Sequence, residues 1–211
     1  MRRIIKYLPI SIQNYFHDKK ADVVYATEFE KWKAGGSPVP PPHAAKQQII
    51  ASVAKQFNCE IFIETGTYLG DTIQSQRTNF RKLISIELAD RLFKAASRRF
   101  RRFPEIQIYK GNSGDVLHRI MPAINSRALL WLDGHYSGGI TAKGLTECPV
   151  FRELDAVFSN NDLKHIVLID DARLFIGKRD YPTMDELREY VKRKNPGYTI
   201  KVDTDIIMLT V

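Results

Sequence analysis

Only two cysteines, Cys59 and Cys148, occur in the 211 residues, and neither has a partner at metal-site spacing. A disulfide framework is therefore excluded, and the thiol usage fits a reducing, cytoplasmic setting. Cys59 stands beside Ile61-Phe62-Ile63 and reads as a small buried residue. No apolar run is long enough to span a bilayer. The start, Met1-Arg2-Arg3-Ile4-Ile5-Lys6-Tyr7-Leu8-Pro9, has the basic opening of an export signal. Lys6 and Pro9 break its apolar stretch, however, and no small-residue cleavage site follows. No internal repeat occurs, and the proline run at Pro38, Pro40, Pro41 and Pro42 is the one biased tract. The spacing G-x-G-x-x-G is absent too, which ranks a nicotinamide oxidoreductase low.

What is present suits one large domain with an extension. Apolar content is 44% and charged content 27%, ordinary for a globular chain that can bury a full core. The 32 basic and 24 acidic residues give a net charge of +8, which favours anionic partners without naming one. Residues 1–43 read as an N-terminal arm or lid with a stiff, extended proline-rich connector. Its Arg2, Arg3, Lys6, Ile4, Ile5, Tyr7 and Leu8 suit an anionic membrane surface. Packing on the core or on a second subunit of a homo-oligomer suits them equally.

Residues 44–211 alternate strand and helix patterns. Apolar strand runs begin at Ile61, Leu83, Ile106, Ala128 and His165, with helical periodicity between them. This predicts a doubly wound, mostly parallel, Rossmann-like α/β sheet. Thr183 is the expected cap of the last helix, with Asp185 and Glu186 in its first turn. Two further strands, Tyr198–Val202 and Ile206–Val211, have only a tight turn between them. That pair must be antiparallel, and it brings the sheet to seven strands.

Acidic residues gather at the predicted carboxyl ends of these strands, where parallel sheets bind ligands. Asp133 ends one run, and Asp170-Asp171 end another. Three converging carboxylates need a cation, a proton or a donor-rich substrate. Glu64-Thr65-Gly66-Thr67-Tyr68-Leu69-Gly70-Asp71-Thr72 joins the first core strand to its helix. Its glycines let the backbone approach a ligand, unless the segment is a plain strand–helix turn. Glu87 closes the second strand, where an acid can accept two hydrogen bonds from a ribose diol. Gly111-Asn112-Ser113-Gly114-Asp115 follows the third. It can wrap an adenine edge, or cap the next helix through Ser113 or Asp115.

In order and spacing these segments resemble the class I S-adenosylmethionine-dependent methyltransferases over roughly residues 44–211. Glu64-x-Gly66-x-x-x-Gly70 is similar to the first motif of the metal-dependent O-methyltransferases, of the catechol and macrolide-sugar type. The resemblance implies an S-adenosylmethionine pocket. It would be built from Glu64, Gly66, Thr67, Tyr68, Gly70, Asp71, Thr72, Glu87, Asn112, Ser113 and Asp115. It also implies a divalent cation on Asp133, Asp170 and Asp171, and all-oxygen donors suit Mg²⁺, Mn²⁺ or Ca²⁺. The alternative is that these aspartates bond local backbone amides.

The family's catechol enzymes carry a lysine three residues after the first metal acid, where this chain has Tyr136. His135 is then the better candidate for a base, a fourth ligand or a substrate contact, with a merely structural loop histidine as the alternative. The implied reaction is methyl transfer to a hydroxyl of a small molecule or sugar, with His135 and Asp133 as the catalytic pair. Arg173, Lys178 and Arg179 can hold an acidic group of the substrate, or lie in a solvated loop. Nucleic-acid methylation ranks second, because Arg98-Arg99-Arg101-Arg102 form a basic face but no Asn-Pro-Pro-Tyr-like motif occurs. A non-catalytic nucleotide-binding module ranks third.

Overall fold

The computed structural model describes residues 27–134, 148–159 and 161–211, and the chain divides into two units, Met1–Ile49 and Ile50–Val211. In the first unit, residues 27–34 are helical. The helix ends at Gly36, whose φ of 83° suits a residue without a side chain. Trp32 Nε1 donates to the Pro38 carbonyl at 2.8 Å. The expected extended connector is not straight: the chain bends at Val39 and Pro40, whose peptide is cis. The indole bond just before the bend ties the tract back onto the helix. The segment expected to touch a membrane, Arg2 to Leu8, lies outside the described residues. Among the described residues no helix is long and apolar enough to cross a membrane.

Helix α1 (His43–Gln56) spans the division between the units. The second unit runs β1 (Ile61–Thr65), α2 (Asp71–Gln76), β2 (Lys82–Glu87), α3 (Asp90–Phe100), β3 (Ile106–Lys110) and α4 (Ser113–Ile120). It continues with β4 (Ala128–Leu132), α5 (Val150–Phe158), β5 (Ile166–Ile169), α6 (Met184–Lys194), β6 (Thr199–Asp203) and β7 (Ile206–Thr210). One seven-stranded sheet has the order β3-β2-β1-β4-β5-β7-β6. The first five strands are parallel, while β7 runs antiparallel to β5 and β6. The sequence expectation of a mostly parallel sheet ending in an antiparallel pair holds. Thr204 and Asp205 make the hairpin turn with φ of 51° and 66°, the left-handed pair that matches strand twist.

Every residue of β1, β4 and β5 is buried. Burial on both faces explains why these strands read as unbroken apolar runs rather than alternating ones. On one face Ile61, Ile63, Ile84, Ile86, Leu130, Leu132, Val167, Ile169, Ile207 and Leu209 pack with Leu117, Leu154 and Leu187 of α4, α5 and α6. On the other face Phe62 meets Phe80, with ring centroids 5.2 Å apart. At the amino edge the buried His165 accepts from the Ala128 amide at 3.1 Å through Nδ1. Burial first, then Arg127, pushes its pKa down to about 4, so this histidine is a neutral structural residue.

The cap of α6 forms as the sequence predicts. The Thr183 hydroxyl accepts from the Glu186 amide at 3.2 Å, and Glu186 Oε2 accepts from the Thr183 amide at 2.7 Å. This reciprocal box satisfies two otherwise orphaned donors. Thr183→Ala is expected to cost about 1 kcal/mol, measured as a lower urea midpoint with unchanged slope; an unaltered midpoint would show that the box contributes nothing.

Candidate functional site

The loop after β1 is fixed by register. Thr65 pairs with Leu132, so Gly66 comes opposite Asp133. A Cβ on Gly66 would lie 2.6 Å from the Asp133 carbonyl oxygen, and Gly66 has φ +87°. Only glycine permits both conditions. The Gly134 amide donates to Thr65 Oγ1 at 3.1 Å, and the Gly66 amide donates to the Ile86 carbonyl at 2.9 Å. The ends of β1, β2 and β4 are thereby tied at one place.

The rest of the loop is held from the β2 side. Glu87 Oε2 accepts from the Tyr68 amide at 2.9 Å, and its Oε1 accepts from the Ala89 amide at 2.8 Å. Tyr68 itself is half exposed and left-handed, with φ 48°. Gly70 has φ +82°, and a Cβ there would stand 2.7 Å from the Phe100 ring. Arg99 Nη1 donates to the Leu69 carbonyl at 2.5 Å and to Asp71 Oδ1 at 2.7 Å. Arg99 thus clamps this loop from the basic end of α3. Thr72 follows in the first turn of α2.

Glu64 is 1% exposed and lies across from Ser85 in the β1–β2 register. Ser85 Oγ donates to Glu64 Oε1 at 2.6 Å. Having spent its proton there, Ser85 accepts from Thr67 Oγ1 at 2.5 Å. Burial, opposed by the Ser85 bond and reinforced by Asp133, Glu87 and Asp71, pushes the Glu64 pKa up to about 8. At neutral pH Glu64 therefore keeps its proton.

After β3, the cap of α4 is Asn112, whose side chain accepts from the Gly114 amide at 3.1 Å; the expected caps Ser113 and Asp115 do not serve. Ser113 is buried behind the loop, and Asp115 pairs with Arg152 of α5. Next to Arg152 stands a residue that sequence reasoning missed. Glu153 is 0% exposed, and among the described residues neither carboxyl oxygen has a hydrogen-bond partner. Burial pushes its pKa up to about 7. The Ser113 and Thr65 hydroxyls face the carboxyl and pull that value back without reaching hydrogen-bond geometry. A signal existed: Glu153 interrupts the apolar face of Val150, Leu154 and Val157.

The three aspartates stand where expected, Asp133 after β4 and Asp170-Asp171 after β5. Among the described residues no group of three or more His, Cys, Asp or Glu side chains could hold a metal ion. The physical reason lies in local pairing. Asp170 is 1% exposed, and its Oδ1 accepts from the Asp171 amide at 2.8 Å. Asp171 turns left-handed at φ 57°, and its Oδ1 accepts from Arg173 Nη1 at 2.9 Å. Lys178 and Arg179 are exposed. His135 and the glycine-rich stretch after it lie outside the described residues.

Two expected outcomes follow. Gly66→Ala should cost more than about 1 kcal/mol and reduce urea stability; an unchanged midpoint would mean that the β1–β4 approach is not obligatory. For Glu64, the unfolded chain ionises near the ordinary 4.5 while the fold holds the proton to about 8. Its stabilising contribution is full below about 4.5 and is lost as pH rises toward about 8. Glu64→Gln should gain stability relative to the unsubstituted chain between pH 5 and 8. Parallel stability curves across that window would contradict the assignment.

No protein-family model and no curated protein sequence matches the chain. Solved structures do match. The O-methyltransferase TomG from Streptomyces achromogenes, solved with S-adenosylmethionine, is 13% identical over 89% of this chain and 88% of its own, with a TM-score of 0.56. An O-methyltransferase from Bacillus cereus, in complex with S-adenosylhomocysteine, is 10% identical over 89% and 90%, at 0.58. The methyltransferase PaMTH1 of Podospora anserina, bound to S-adenosylhomocysteine, is 13% identical over 91% and 95%, at 0.55. The chain resembles S-adenosylmethionine-dependent O-methyltransferases in structure, and its fold is their class I, Rossmann-like fold.

Proposed function

We propose that this chain is an S-adenosylmethionine-dependent O-methyltransferase acting on a hydroxyl of a small molecule or sugar, with residues 44–211 as its catalytic domain. The observation that carries the reading is the Gly66–Gly70 loop after β1, which packs on the Asp133 backbone at Gly66, donates its Tyr68 amide to Glu87 and is received at Gly70 by Phe100. When bound, S-adenosylmethionine supplies an electrophilic sulfonium methyl group.

The residues present fit that cofactor. Each Glu87 oxygen spends one acceptor site on a loop amide. A carboxylate has about four such sites, so acceptor capacity remains for a ribose diol. The neutral Glu64 steadies the loop through Ser85 and Thr67 without adding a second charge. Asn112 fixes the turn after β3 that would border the adenine. Rigid support of this kind lets binding orient a methyl group for in-line attack.

On the acceptor side, Asp133 follows β4, and His135 lies two residues further along the chain. Sequence position alone makes His135 the candidate proton acceptor. The acid set does not fit a divalent cation among the described residues, so no proton or substrate is routed through one.

Calorimetric titration of the full chain tests the reading. S-adenosylmethionine and S-adenosylhomocysteine should both bind saturably. Glu87→Ala should weaken both by about tenfold or more, a loss of about 1.4 kcal/mol or more, in a protein that circular dichroism shows to be folded. No heat with millimolar cofactor and folded protein would sink the proposal.

A further inference from the structure

The acid-rich edge after β5 already contains a cation. Arg173 sits in the short turn Ala172–Leu174 directly after Asp171. Its Nη1 donates to Asp171 Oδ1 at 2.9 Å and also to Asp205 Oδ2. Asp205 is on the β6–β7 hairpin turn, so one guanidinium joins two separate parts of the sheet edge. The backbone repeats the link. The Arg173 amide donates to Asp205 Oδ1, and the Ala172 amide to the Asp205 carbonyl, each at 2.8 Å.

We propose that the Arg173 guanidinium is the resident cation of this edge, standing in the electrostatic place of a divalent metal, so that the site needs none. The proposal rests on the methyltransferase reading given above. Three observations support it. The Asp205 side chain is only 1% exposed, and a buried carboxylate deprived of its partner is strongly destabilising. The fold therefore holds the guanidinium in place rather than yielding Asp171 to a metal. Asp171 is turned toward Arg173, and the three acids do not assemble. Finally, an arginine stays charged at every working pH and presents a planar fork suited to bridging two carboxylates.

Arg173 acts here as a positioning residue, fixing the loop after β5 and the hairpin turn against each other.

The test uses the purified full chain, stripped with EDTA and titrated with Mn²⁺ alone, followed by electron paramagnetic resonance. A parallel calorimetric titration uses S-adenosylmethionine with and without EDTA. The unsubstituted chain should show no saturable Mn²⁺ site below about 1 mM, a weak limit of about 4.1 kcal/mol, and cofactor affinity should stay within about twofold on EDTA treatment. Arg173→Met, which leaves the acids without a cation, should take up Mn²⁺ at least about tenfold more tightly, whereas Arg173→Lys should not. One Mn²⁺ per unsubstituted chain, abolished by Asp171→Asn, would overturn the proposal. So would a folded Arg173→Met chain that binds Mn²⁺ no better. If Arg173→Met fails to fold, the titration of the unsubstituted chain decides alone. Failure to bind cofactor would remove the methyltransferase reading, while the Mn²⁺ titration would still judge Arg173.

Discussion

The candidate site depends on one close approach, the contact of Gly66 with the backbone of Asp133. Two parallel strands end side by side there, and no Cβ fits between them. Thr65 seals the junction by accepting the Gly134 amide, and the Gly66 amide ties it to β2. From this point the chain is free to arch over Glu87 and return at Gly70, where Phe100 and Arg99 receive it. A bulkier residue at 66 would separate β1 from β4 at the edge where their loops diverge. The cradle and the placing of Asp133 depend on that junction.

Acid at this edge is managed in three physical ways. Burial pushes the pKa of Glu64 up to about 8 and that of Glu153 up to about 7, so both take up protons far more readily than an ordinary carboxyl. Glu87 is held by two backbone amides, one on each carboxyl oxygen. Asp171 and Asp205 share a guanidinium. A strand edge crowded with carboxylates is thus stable without drawing all of them into one centre.

Much of this was legible in the sequence, for reasons that are local. The runs Leu129–Leu132 and Ile166–Ile169 announced buried parallel strands because both of their faces are covered. The absence of a helix between the last two strands forced an antiparallel pair. Thr183 was readable as a cap because its partner, Glu186, lies three residues away. The cap of α4 is Asn112 rather than Ser113 or Asp115, because all three are capping types within one turn and backbone angles choose among them. Ser85 and Glu153 were hidden because their roles depend on register and on helix packing. The pairing of Asp171 was out of reach for the same reason. Its cation is two residues away, but that cation is fixed by Asp205 in a hairpin turn much further along. The indole bond from Trp32 to the Pro38 carbonyl beside the bend at Val39–Pro40 is likewise something composition does not reveal.

The central claim is that the Gly66–Gly70 loop and Glu87 form a nucleoside-binding cradle of the methyltransferase kind. A crystal structure of the full chain grown with S-adenosylhomocysteine tests it most directly. The account predicts density for the ligand against Gly66 and Tyr68, with both ribose hydroxyls on Glu87 and the adenine beside Asn112. Ligand density at any other edge of the sheet, or a cradle left without ligand at saturating concentration, would contradict it.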